Sequence, residues 1–309
     1  MSELHWVSDA GREAVADVIF VHGLGGDPFG TWWHDEDQPK DSFPFWLAED
    51  SPKVAVHSLA YDASPSKWLG SSLPLVDRAT NILTRFETEG IGGRPLFFVC
   101  HSLGGLVVKQ TLRSAIELGE SGWRGIVENT RGIVFLATPH TGAQLADYLR
   151  ALSKILRLSV TMGELEASAP ALRDLNVWYR QRVEDLGIDT LAMFETRDTH
   201  GVRVVDEASA DAGQGVPRAI DADHFSICKP QGRSDLAYGA VRNFVGKRLP
   251  QTRPSPAPTS RAQPAVALEP RPSRYFVSTA AVRRRIVLWR MCFAPSLKTR
   301  GMRSSSTKV

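Results

Sequence analysis

Cysteine is scarce in this chain: three in 309 residues, at positions 100, 228 and 292. An odd number without metal-ligand or redox spacing favours a reducing compartment without a disulfide framework. No apolar run approaches the roughly 18 residues that span a bilayer. The opening Met1-Ser2-Glu3-Leu4-His5-Trp6 lacks both the basic and the apolar region of a secretory signal. A cytoplasmic or intracellular body without a transmembrane helix is therefore expected. Internal repeats are absent as well, which argues against a solenoid. Acidic residues nearly vanish from one stretch. Residues 251–309 hold 12 Lys and Arg against Glu269 alone, a balance of +11, whereas residues 1–250 hold 25 basic and 33 acidic side chains, or −8. The overall +3 averages these two unlike parts. The larger part is mildly acidic, so nucleic acid is not an expected partner and a polyanionic substrate has nothing to recommend it.

What is present is alternation. Short runs rich in Val, Ile, Leu and Phe at 16–22, 54–61, 95–100, 132–137 and 190–195 read as strands. Helical spacing intervenes at 75–86, 106–118 and 235–245, the pattern of a parallel sheet covered by helices on both faces. Between 142 and 186 two amphipathic patterns occur: Leu145, Leu149, Leu152 and Leu156, then Leu172, Leu175, Tyr179, Val183 and Leu186. Such helices either cap a site or pack on the sheet. After Leu249 the chain turns rich in Pro, Ser and Ala, as a disordered linker does. Its basic end can touch an anionic membrane surface, and a merely solvated tail is the plainer alternative. The expected organisation is a catalytic body over 1–249, with a helical cap at about 142–186, followed by a tail over 250–309.

The most informative residues are Phe98-Val99-Cys100-His101-Ser102-Leu103-Gly104-Gly105. An apolar strand breaks at a serine flanked by a small residue and glycine, and a helix follows. That is the nucleophile elbow of serine hydrolases, which presents the serine hydroxyl above the sheet. Cys100 stands where the first glycine of Gly-x-Ser-x-Gly is usual, a small side chain in a place that tolerates one. A serine nucleophile needs a base, a carboxylate to orient the base, and donors for the oxyanion. His224, after the last strand and before the final helix, is the base expected. The carboxylate lies between serine and histidine, with Asp206, Glu195 and Asp198 as candidates. The oxyanion donors expected are the backbone N–H groups of Leu103 and of Leu24, the latter in His22-Gly23-Leu24-Gly25-Gly26. That loop lacks the Lys-Ser/Thr ending of a phosphate loop and the spacing of a dinucleotide fingerprint. His22 is expected to fix the loop and His140 to line the pocket. Trp32, Trp33 and Trp46 are expected to form wall or core. No metal or cofactor is implied.

In order along the chain, His22-Gly23-Leu24-Gly25-Gly26, Tyr61-Asp62-Ala63, Cys100 to Gly105, Phe135 to His140 and Asp221 to Lys229 resemble the α/β-hydrolase family of serine-active-site-containing proteins, distantly similar to GPI inositol-deacylase-like lipases. The resemblance covers about 17–245. It implies an α/β-hydrolase fold, with a mostly parallel central sheet, and acyl-ester hydrolysis or acyl transfer on a lipid or small ester, with Ser102 as nucleophile and His224 as base. The segment Val204 to Ala210 resembles the acid loop of related lipases, which makes Asp206 the preferred carboxylate. A hydrolase-fold signalling or protein-interaction module with little or no turnover is the alternative. Oligomeric state leaves no mark in the sequence.

Overall fold

Every residue of Ala16–Val21 and of Leu96–His101 is buried. A parallel strand covered by helices on both faces demands this, and it is why each reads as an unbroken apolar run. The computed structural model describes residues 2–8, 13–34, 38, 40–63, 75–140, 142–156 and 162–250, the side chains of 142–147, 149 and 162–169 excepted. The expectations for the linker and basic tail lie outside the described residues.

The strands are β1 (Glu3–Ser8), β2 (Ala16–Val21), β3 (Val54–Ala60), β4 (Leu96–His101), β5 (Thr130–Leu136), β6 (Asp189–Glu195) and β7 (Arg218–Ile220). The helices are α1 (Phe43–Asp50), α2 (Leu75–Thr88), α3 (Gly104–Leu118), α4 (Ser121–Asn129), α5 (Gly142–Ile155), α6 (Met162–Arg182) and α7 (Leu236–Gly246). One sheet runs in the order β1-β3-β2-β4-β5-β6-β7. All its pairs are parallel except β1 with β3. This is the α/β-hydrolase fold. The five expected strands are β2 to β6, with ends shifted by one or two residues. Edge strands β1 and β7 escaped the sequence reading for a physical reason. Only Leu4 of β1 is buried, and β7 is three residues long.

Alternation along the strands divides the core in two. Val18 and Phe20 of β2 face one side, where they meet Phe43 and Leu47 of α1 and Val241 and Phe244 of α7. Ile19 and Val21 face the other, with Ile82, Leu83 and Phe86 of α2 and Val107, Val108 and Leu112 of α3. Each fully buried large side chain of this kind contributes about 1.5–3 kcal/mol. α7 starts at Asp235, whose carboxylate accepts the Ala237 N–H. At the first residues of the strands, Asp17 is held by His57 Nε2 at 2.9 Å and Arg94 Nε at 2.8 Å. Among the described residues no helix is long and apolar enough to cross a membrane.

Candidate active site

Ser102 sits just beyond β4 with φ +54°, a left-handed conformation that costs a non-glycine residue about 1–2 kcal/mol. Three bonds to neighbouring strand and helix hold it there. Its N–H donates to Leu136 O at 2.9 Å. Its carbonyl accepts Thr138 Oγ1 at 2.8 Å and the Gly105 N–H at 3.2 Å. The turn also needs glycine at 104, because a Cβ there would lie 2.4 Å from the carbonyl oxygens of Val21 and His22. Helix α3 can therefore begin directly against the end of β2, with its N-terminus behind the serine. Cys100 points into the fully buried core beneath the elbow, where burial pushes its thiol well up. Its side chain fits in the core at the place where the first glycine of the motif is usual.

The hydroxyl meets the expected base. His224 Nε2 lies 3.1 Å from Ser102 Oγ, and both residues are buried. His224 is anchored through its own backbone. Its N–H donates to Thr199 Oγ1 at 3.0 Å, and its carbonyl accepts His101 Nε2 at 2.8 Å. Burial drives the His101 pKa down to about 3, so that ring remains a neutral donor.

The carboxylate beside His224 is Glu195, not the preferred Asp206. Glu195 Oε1 stands 3.5 Å from His224 Nδ1, with neither side chain accessible to solvent. Asp206 instead closes a local turn: its Oδ1 accepts the Ser209 N–H at 2.8 Å and the Ser209 hydroxyl at 2.5 Å. These bonds hold its carboxyl below the ordinary range. Asp198 pairs with Arg203 at 2.9 Å on the exposed side of the loop. The loop folds so that the Val205 N–H donates to Glu195 Oε1 at 2.6 Å, which fixes Glu195 and directs Asp206 elsewhere.

The glycine loop after β2 lies against the nucleophile. A Cβ on Gly23 would be 2.7 Å from Ser102 Cβ and 3.1 Å from Oγ, so only glycine fits beside the serine. This brings Leu24, the next residue, to the site, while Leu103 follows Ser102 directly. His22 holds the loop as expected. Its ring stacks on Tyr61 at 4.4 Å, its Nδ1 donates to Gly23 O at 3.0 Å, and its carbonyl accepts the Tyr61 hydroxyl at 2.5 Å. Burial lowers its pKa to about 4, keeping it neutral.

Two further features depart from the sequence reading. His140, expected to line the pocket, is itself 2% exposed. It is buried with Lys109, whose Nζ donates to His140 Nδ1 at 2.5 Å and to Asn176 Oδ1 at 2.7 Å. Burial holds this lysine, and His140 with it, well below the ordinary range. The second is Tyr148 of α5, which the reading missed. Its hydroxyl lies 2.5 Å from Ser102 Oγ, and its ring is buried. The signal available was its place on the helical face that carries Leu145, Leu149 and Leu152. Of that face, Leu152 is buried, and the side chains of Leu145 and Leu149 lie outside the described residues. Leu156 reaches within 3.6 Å of where a Cβ on Gly25 would be, so α5 and the residue after it cover the loop as well as the serine. α6 behaves differently: its Tyr179 packs edge-on against Phe135 of β5 at 5.7 Å, on the sheet. Trp32 and Trp46 are core, and Trp33 is half-buried.

No protein-family model matches the chain. Over 257 residues it is 32% identical to Protein SERAC1 of Mus musculus and of Homo sapiens, alignments that cover 76% of this chain and 39% of the relatives. The chain thus spans about two fifths of the length of the curated relatives it matches. Protein SERAC1 of Danio rerio is 33% identical over 260 residues, again covering 76% of this chain and 39% of the relative. Among solved structures, a thermophilic esterase from Thermogutta terrifontis superposes with TM-score 0.48 at 14% identity, covering 81% of this chain and 94% of that one. An esterase from Pyrobaculum calidifontis gives 0.47 at 16% identity, with 79% and 85% covered.

Proposed function

We propose that this α/β-hydrolase-fold chain is a serine hydrolase that cleaves carboxylic esters of lipid-like acids through an acyl-enzyme on Ser102. The observation that carries the reading is the line Ser102 Oγ, His224 Nε2, His224 Nδ1, Glu195 Oε1, with separations of 3.1 Å at one end and 3.5 Å at the other. Ser102 attacks the ester carbonyl carbon while His224 Nε2 takes its proton. Glu195 faces Nδ1, favours the tautomer with a proton there and steadies the imidazolium that forms. The N–H groups of Leu103 and Leu24 receive the oxyanion, one such donor being worth on the order of 3 kcal/mol. His224 then protonates the departing alcohol. Water, activated by the same imidazole, releases the acid, and an alcohol in its place would make the reaction an acyl transfer.

A lipid-like acyl group is favoured by what surrounds the serine. Leu24, Leu103, Tyr148 and Leu152 belong to one buried apolar cluster, with Ile155 and Leu156 packed against it. The test is Ser102→Ala. Wild-type protein should hydrolyse short p-nitrophenyl esters and take up a fluorophosphonate probe, and the variant should do neither. Labelling that persists in the variant would refute Ser102 as nucleophile. One observation favours the second reading, an interaction module with little turnover: Ser102 is only 2% exposed, covered by Tyr148. Failure of the wild type to label would select it. A panel of lipid esters offered to the full chain then defines the acyl and head groups.

A further inference from the structure

We propose that Tyr148 is a further catalytic residue, a side-chain donor to the oxyanion contributed by α5. This rests on the serine-hydrolase reading above and deepens it. Its phenolic oxygen lies 2.5 Å from Ser102 Oγ, while His224 Nε2 lies 3.1 Å from the same atom. Oγ has one proton, and the base is placed to accept it. The Tyr148 O–H is then the donor in the shorter bond, with Oγ as its acceptor. Burial pushes the phenol well above its ordinary pKa, so it stays protonated and a donor throughout the working pH range.

The chemistry of attack redirects that bond. An ester must enter between the two hydroxyls, so its carbonyl carbon takes the place beside Oγ that the phenol now holds. As the Oγ–C bond forms and the carbonyl π pair moves to oxygen, Oγ loses the electron density that made it an acceptor. The carbonyl oxygen, one bond away, gains a full negative charge. The displaced Tyr148 O–H passes from the first oxygen to the second, a bond stronger in the transition state than in the ground state. The proton of Oγ has gone to His224, which later gives it to the leaving alcohol. The phenol therefore gains and loses no proton. α5 packs beside the oxyanion loop, its buried Leu152 and the adjoining Leu156 lying in the same cluster as Leu24.

The experiment is Tyr148→Phe in the full chain, assayed with a p-nitrophenyl ester and an alkyl ester of the same acid. The expected result is a fall in kcat on the order of 100-fold. The fall should be equal for both esters, KM should stay within a few-fold, and the melting temperature should be preserved. A rise in kcat would show that the phenol is only a plug, and would overturn the proposal. A loss confined to the alkyl ester would assign the phenol to the leaving group and overturn it too. Unchanged kcat, with or without a lower melting temperature, leaves packing as the role of the ring and is equally fatal. Fully active Tyr148→Phe protein with Ser102-dependent turnover sinks this inference alone, whereas wild-type protein without such turnover sinks the hydrolase reading and this with it.

Discussion

Glu195, the last residue of β6, holds Oε1 3.5 Å from Nδ1 of His224, and both side chains are shut away from solvent. Among the described residues His224 Nδ1 has no hydrogen-bond partner, while Glu195 Oε1, the oxygen that faces it, accepts the Val205 N–H and keeps a lone pair to spare. A buried Nδ1–H and the carboxylate oxygen it faces draw together when the imidazole becomes charged, because the alternative is an uncompensated charge in a dry site. Glu195→Gln should therefore lower kcat by roughly 10³–10⁴ while the fold survives, since an amide N–H turned to Nδ1 favours the wrong tautomer. Asp206→Asn should keep kcat within a few-fold and cost about 1 kcal/mol in urea unfolding through the Ser209 turn. Equal loss of activity in both variants would remove Glu195 from its assigned role.

Gly23 and Gly104 separate activity from folding. A methyl group on Gly23 would lie 2.7 Å from Ser102 Cβ, 3.1 Å from its Oγ and 3.0 Å from the His101 carbonyl oxygen, so Gly23→Ala must displace the serine and should lose at least about 10-fold in kcat per folded molecule. A methyl group on Gly104 meets two backbone carbonyls that cannot yield, so Gly104→Ala should lose more than about 3 kcal/mol. Gly239→Ala in α7 is the control: nothing lies within 4 Å of its Cβ, and helix propensity predicts a gain of about 0.5–1 kcal/mol. Circular dichroism melts beside initial rates distinguish the three.

His22 and His101 make the fold sensitive to acid. Burial holds their pKa values at about 4 and about 3 in the folded protein, below the 6.5 of a free histidine. The unfolded chain therefore binds protons first as pH falls below 6.5. Stability should be unaffected by these groups above that pH and should decline between it and about 4, by about 1.4 kcal/mol per pH unit for each fully neutral ring. His101→Gln keeps a donor for the His224 carbonyl and removes one such proton. Its unfolding free energy should fall less steeply over that window, and identical slopes would contradict the assignment.

Asp17 offers the opposite contrast. Its carboxylate is buried between His57 and Arg94 at the start of β2, the other end of the strand from the glycine loop. Asp17→Ala should cost about 3–5 kcal/mol by stranding its partners. The surviving folded protein should turn over esters at the wild-type kcat per folded molecule. A selective loss of kcat would mean that the base of the sheet is coupled to the site.

The alternation of β2 to β6 with α2, α3 and α7 was legible because a strand buried on both faces must be apolar throughout. The elbow was legible because a serine at φ +54° between a strand and a helix that starts against β2 admits few neighbours. His224 followed from order along the chain. Edge strand β1 was not legible, since one buried residue in six leaves no pattern.

Local sequence thus decided β2 to β6 and the serine turn, because backbone conformation and burial there are set within a few residues, and chain order added the histidine loop. It did not decide which of three carboxylates would meet the imidazole. The chain returns from β6 to bond the Val205 N–H to Glu195, and only that long-range closure selects Glu195. Nor did it show that Tyr148, one apolar-looking position on a helical stripe, would rest its hydroxyl on Ser102, 46 residues earlier. Helix periodicity names the buried face of α5, and docking over the elbow alone determines what that face touches.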